Sequence, residues 1–155
     1  MLQLTRRTEY GLLALVHIAD REGRVVSVRE ICERFPLPRR MVAEVLKDLH
    51  HCALVESQRG SSGGYTLARR PEDITLGQVV AALEGAPALT TCESPIVMKS
   101  GGCEVQPMCP IRSPIHRVRE RLWQMLEHTT LSSLQSPLFP ISITAGVPSH
   151  SVGPS

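Results

Sequence analysis

Cys92, Cys103 and Cys109 crowd into eighteen residues, with ten and then five residues between them. Thiolates are soft ligands that suit zinc and iron–sulfur clusters. Gly101-Gly102 and the nearby prolines would let the chain fold round such a group. Cys109 stands just before Pro110, near an expected helix start, where the helix dipole favours a thiolate. Three cysteines leave one ligand short, and a structural zinc ordinarily takes four clean ligands. A bare-thiol switch and inert thiols are the other readings of this spacing. Cys32 and Cys52 lie apart in helical patterns and read as small buried hydrophobes.

A second chemistry is cationic. Arg39, Arg40, Glu44 and Lys47 fall on the exposed side of an expected helix. Arginine can fork onto guanine or grip a phosphate, and Glu can accept from cytosine. Arg59 opens the run Arg59-Gly60-Ser61-Ser62-Gly63-Gly64-Tyr65. Glycines let a backbone lie close to DNA, and an Arg there could read a narrow minor groove. An ordinary turn and a solvated basic face are the plainer reading.

These residues need elements to position them. Residues 5–21 predict a first helix that buries Leu12, Leu13, Leu15, Val16 and Ala19. Val25-Val26 predicts a short extended piece. Ser27-x-x-Glu30 is a capping-box pattern that opens a second helix, ending near Arg34. Pro38 suits the first turn of a third helix, which carries Met41, Val42, Val45, Leu46 and Leu49 to about Cys52. Leu54–Gln58 and Tyr65–Ala68 predict a hairpin with a Gly-rich tip. Helix, helix, helix, hairpin is the order of a winged helix-turn-helix, whose second motif helix enters the major groove.

Thr75-x-x-Gln78 is a second capping box, opening a helix through Leu83. Ser113-Pro114 predicts the start of a long helix to about His128. Ile111, Ile115, Val118, Leu122 and Met125 are spaced 4, 3, 4, 3, which is a heptad seam for pairing two copies. The fold class expected is mainly α: a winged helix-turn-helix domain plus a long dimerisation helix. Residues 1–70 form the DNA-binding domain, 71–90 a connecting helix and 91–112 a cysteine-rich loop. Residues 113–131 form the dimer helix. Residues 132–155 lack charge and are rich in Ser, Pro and Gly, so disorder is expected there, although Leu138–Ile143 could dock.

Bulk properties agree. Of 155 residues, 42% are apolar and 3% aromatic, so the core must be Leu, Val, Ile and Ala. Residues 1–70 hold twelve Lys/Arg against eight Asp/Glu, and the rest five against seven. A basic N-terminal half suits a polyanion. Arg6-Arg7 before Gly11–Ala19 has the outline of a twin-arginine signal. However, Glu9 breaks the basic-to-apolar order, His17 interrupts the apolar run, and no small-x-small cleavage site follows. The segment reads as an amphipathic helix. With no run of the roughly 18 apolar residues that a membrane span needs, a cytoplasmic protein is expected.

Leu4-Thr5, Tyr10-Gly11, the Arg59–Tyr65 wing, Thr75–Val80 and Glu84-Gly85 resemble the winged-helix regulators that include IscR, NsrR and RirA. The likeness runs from residue 2 to about 130 and takes in the cysteines. It implies dimeric transcription factors, mostly repressors, with a wing arginine in the minor groove and the third helix in the major groove. It also implies an iron–sulfur cluster on Cys92, Cys103 and Cys109, [2Fe–2S] first, with [4Fe–4S] as the alternative. IscR-like members supply a His three residues after the third Cys, where this chain has Arg112; His116 is one turn further on. NsrR-like members use an acidic residue of helix one from the partner subunit, a position matched by Glu9. Both residues also read plainly, as exposed helix side chains.

The function expected is therefore a non-enzymatic homodimeric regulator on a palindromic operator, acting on RNA polymerase indirectly and without membrane contact. Its operator affinity would follow an iron–sulfur cluster that senses redox state, iron or nitric oxide. A cluster-free thiol or zinc regulator of the same fold is the alternative.

Overall fold

Thr5 accepts from the Thr8 N–H and caps α1 (Arg6–Ala19). The computed structural model describes residues 3–85, 88–90, 92, 99 and 103–136. Along α1, Gly11, Ala14, Leu15 and Ile18 are buried, whereas Leu13 faces outward. Ser27 accepts from the Glu30 N–H and caps α2 (Val28–Arg34). The expected capping box is only half made. The Glu30 carboxylate turns instead to Arg21, just past α1, at 3.3 Å, and lies 3.4 Å from His17 Nε2 within α1.

Pro38 is the cap of α3 (Arg39–His51) rather than its first residue. Val42, Val45, Leu46 and Leu49 are fully buried, as their 3–4 spacing predicts. Cys52, expected inside, is exposed where α3 ends, and Ala53 (φ 55°) turns the chain away. Cys32 is half-buried against the core. Strands β1 (Val55–Gln58) and β2 (Gly64–Leu67) pair antiparallel, with Val55 opposite Leu67 and Gln58 opposite Gly64. Val26 bridges Tyr65 through N–H···O bonds of 2.9 and 2.8 Å, adding a third edge to the hairpin.

Thr75 and Gln78 form a full capping box at the start of α4 (Leu76–Glu84). The long helix α5 (Arg112–His128) begins just ahead of Ser113-Pro114, with Ile111 as its cap residue and no side-chain cap bond. Its far end returns to the core. Leu76 N–H donates to Thr129 O at 2.7 Å, and Leu131 N–H donates to Ile74 O at 2.8 Å. Thr75 and Thr130 thus form an isolated bridge.

Residues 132–135, expected to be disordered, are helical. Thr130 caps α6 (Leu131–Gln135), Leu131 is 1% exposed, and Gln135 Nε2 donates to Asp20 Oδ1 at 2.8 Å. One buried leucine and one cap are enough to dock an uncharged segment on α1, which composition alone misses. Gly101-Gly102 and Leu138–Ile143 lie outside the described residues. Among the described residues, no helix is long and apolar enough to cross a membrane.

Candidate nucleic-acid interface and cysteine cavity

The buried stripe of α3 fixes which side chains point away. Arg39, Arg40, Glu44 and Lys47 are all exposed. Arg40 Nε donates to Glu44 Oε1 at 3.1 Å, one turn along, with the Arg40 side chain 94% exposed. An exposed pair of this kind is worth well under about 1 kcal/mol, so it exchanges readily for a base edge or phosphate. Arg39 also lies near Cys32. Burial pushes that thiol up, and Arg39 pulls it partly back.

The hairpin tip carries Arg59, Ser61 and Ser62, all exposed. Gly60 has φ +118°, which side-chain-bearing residues rarely adopt, and its carbonyl accepts from the Gly63 N–H at 3.0 Å. The other members of the run serve the scaffold. A Cβ on Gly64 would meet the Val26 backbone at 2.3 Å, so the strand contact demands glycine. Tyr65 is half-buried, packs on the core and bonds Val26. The exposed tip is therefore Arg59 to Ser62, set on a base that Gly63, Gly64 and Tyr65 build.

Cys92, Cys103 and Cys109 are each half-buried, and all three line one cavity of about 460 Å³. A one-turn 3-10 helix (Gln106–Met108) and the first turns of α5 bring the last two together. The same wall holds Val105, Ile111, Ile115, Arg112, His116 and Arg119. The Thr90 hydroxyl sits 3.1 Å from Cys92 Sγ, within hydrogen-bond reach. Arg119 donates to His116 Nε2 at 2.9 Å and to Glu120 at 2.7 Å. The bond from Arg119 holds the Glu120 carboxyl below the usual carboxylate range.

Among the described residues, no three His, Cys, Asp or Glu side chains converge tightly enough to hold a metal ion as they stand. The three thiols share a wall rather than a point. Their donor set nevertheless suits iron: soft sulfur, two guanidinium groups to offset thiolate charge, and an apolar surround. Glu9 does not line this cavity. It is exposed on the first turn of α1, in the winged-helix half of the chain.

Sequence reasoning missed the bonds that join these parts. Arg7 of α1 donates to Asp48 of α3. Glu84, at the end of α4, accepts from Thr5 and Thr8 of α1. Both join polar residues far apart in the chain, and no local pattern signals them.

Solved structures share this architecture. CymR (YrzC), the global cysteine regulator of B. subtilis, is 27% identical over 87% of this chain and 97% of its own, with a TM-score of 0.68. A transcriptional regulator from Listeria innocua is 28% identical over 94% of both chains, with a TM-score of 0.71. IscR of T. potens is 29% identical over 86% of this chain and 85% of its own, with a TM-score of 0.62. Residues 4–137 match the Rrf2 family, described as iron-dependent transcriptional regulators. The match takes in the winged helix-turn-helix, α4, the cysteines and the long outer helix, and this chain belongs to the Rrf2 family of transcriptional regulators.

Proposed function

We propose that the protein is a homodimeric repressor whose operator affinity is set by an iron–sulfur cluster on Cys92, Cys103 and Cys109. The observation that carries this reading is that three thiols, spread over eighteen residues, face one cavity beside α5. The iron dependence of the family supports it. When bound, a [2Fe–2S] cluster would supply a centre reactive to oxidants, nitric oxide and iron supply.

The chain's own residues do the rest. The thiolates bind. Arg112 and Arg119 would offset their charge, and half-buried Ile115 would give the cluster an apolar wall. His116, on the same wall, would offer its ring nitrogen as the fourth ligand. Glu9 could reach such a cluster only from the partner subunit. Arg39, Arg40, Glu44 and Lys47 enter the major groove of a palindromic operator, and Arg59 enters the minor groove. None of α5's residues is buried, and Ile111, Val118 and Met125 are exposed seven residues apart, as a pairing seam requires.

Anaerobic purification followed by iron, sulfide and visible-absorption analysis tests the cluster. Loss of colour on His116→Ala but not Glu9→Ala supports the fourth ligand named here, and the reverse result reassigns it. The likeness to CymR favours a second reading, a cluster-free thiol regulator. Colourless protein with an intact, alkylatable Cys92 would establish that one instead.

A further inference from the structure

Glu84 is the last residue of α4, yet its carboxylate is spent on α1. Oε1 accepts from Thr5 N–H at 3.0 Å, from Thr5 Oγ1 at 2.9 Å, and from Thr8 Oγ1. Thr8 is fully buried. A helix start leaves N–H groups unpaired and carries partial positive charge, so a carboxylate there is doubly favoured. Glu84 thus caps a helix to which it does not belong.

This cap has a neighbour on each side. Immediately after Glu84, Gly85 (φ +83°) ends α4, and the chain leaves for the segment that carries Cys92. From the capped turn of α1, Arg7 donates to Asp48 of α3. Named contacts therefore run from Glu84, at the end of α4, through the first turn of α1 to the helix that carries Arg39, Arg40, Glu44 and Lys47.

We propose that Glu84 is the positioning residue through which a change of state in the cysteine segment alters the pose of α3. This rests on the reading that the segment changes state when its thiols gain or lose a partner. A shift at Gly85 acts on a single oxygen that holds three donors. The first turn of α1 is then either gripped or released, and Arg7 carries the difference to Asp48. Coupling of this kind is shown by energetic non-additivity and not by proximity.

The test uses the full chain with Cys32→Ser and Cys52→Ser, so that only the three clustered thiols react. They are alkylated with N-ethylmaleimide, a perturbation that needs no bound cluster. The probe is a duplex selected by the unmodified protein from a random-sequence library. Alkylation should change its Kd at least about tenfold and alter amide exchange at residues 6–9 and 39–48. With Glu84→Ala the Kd change should fall below about threefold, with exchange changes confined to the cysteine segment. Glu84→Gln, which keeps an acceptor oxygen, should restore at least half of the response. Should Glu84→Ala fail to fold, Thr8→Val removes one donor at nearly constant shape and is read in the same way. A full response in Glu84→Ala overturns the proposal, and so does no response in the parent chain. Iron and sulfide content, measured separately, judges the cluster alone: colourless protein removes the cluster and leaves this test standing.

Discussion

A side chain on Gly64 would place its Cβ 2.3 Å from the carbonyl oxygen of Val26, closer than real Cβ contacts come. The wing and the extended residue before α2 are therefore pressed backbone to backbone. Gly64→Ala should separate them and cost about 1–3 kcal/mol, as overpacking does elsewhere. Chemical denaturation would show the loss. An unchanged midpoint would mean that the Val26–Tyr65 bridge yields freely.

Arg59 is exposed at the tip of that wing and has no scaffold role. Arg59→Ala should leave the thermal midpoint in place and weaken operator binding at least about fivefold, the lower end of a good base contact. If Arg59 also meets a phosphate, the slope of log affinity against log salt falls by about one. Fluorescence anisotropy at several salt concentrations reads both. Equal affinity would remove Arg59 from the interface.

The Glu84 carboxyl gives a pH signature. Burial alone would raise it, but bonds from Thr8 and Thr5 outweigh burial and hold it below its ordinary value of 4.5. A group whose folded value is lowered adds stability that is complete above the unfolded value and fades as pH falls through the folded one. The difference in midpoint between the parent and Glu84→Gln should therefore be constant near neutrality and shrink below about pH 4.5. A difference that grows on acidification would contradict the hydrogen-bond account.

Val118 is 48% exposed in the protomer and lies mid-seam on α5. Val118→Glu should give monomers by analytical ultracentrifugation, with the winged helix still folded by circular dichroism. Persistent dimers would move the interface elsewhere.

Leu131 is the anchor of α6, packed with Ile74 in the main core. Leu131→Ala should cost about 2–5 kcal/mol, the range for a buried leucine. A chain ending before residue 130 should lose at least as much. A negligible cost would show that α6 rests on the core without holding it.

The winged helix was legible because its signals are local and periodic. Val42, Val45, Leu46 and Leu49 mark one face of α3, Thr75 and Gln78 cap α4, and glycines mark the wing. Leu13 and Cys52 are apolar yet exposed for different reasons: helix phase turns Leu13 outward, and α3 ends before Cys52. Ser27-x-x-Glu30 kept only half its pattern, because Arg21 and His17, far off in sequence, competed for the Glu30 carboxylate. The cysteines were legible as a cluster of types, but not as a shared cavity wall, since that depends on where α5 begins. Residues 132–135 looked structureless because a helix of five residues owes its form to one docked leucine, and periodicity needs more length than that.

The Thr75–Thr130 bridge has one more consequence. It ties the two ends of a long excursion to the same point on the core, so the chain between them leaves and returns through a single gate. Between those ends, α4 packs on α1 and α3, and α5 packs on α4. Lengthening such an excursion is cheap, since doubling a flexible loop adds only about 0.6 kcal/mol of closure entropy. A chain built this way can lengthen between Thr75 and Thr130 without rebuilding the winged helix.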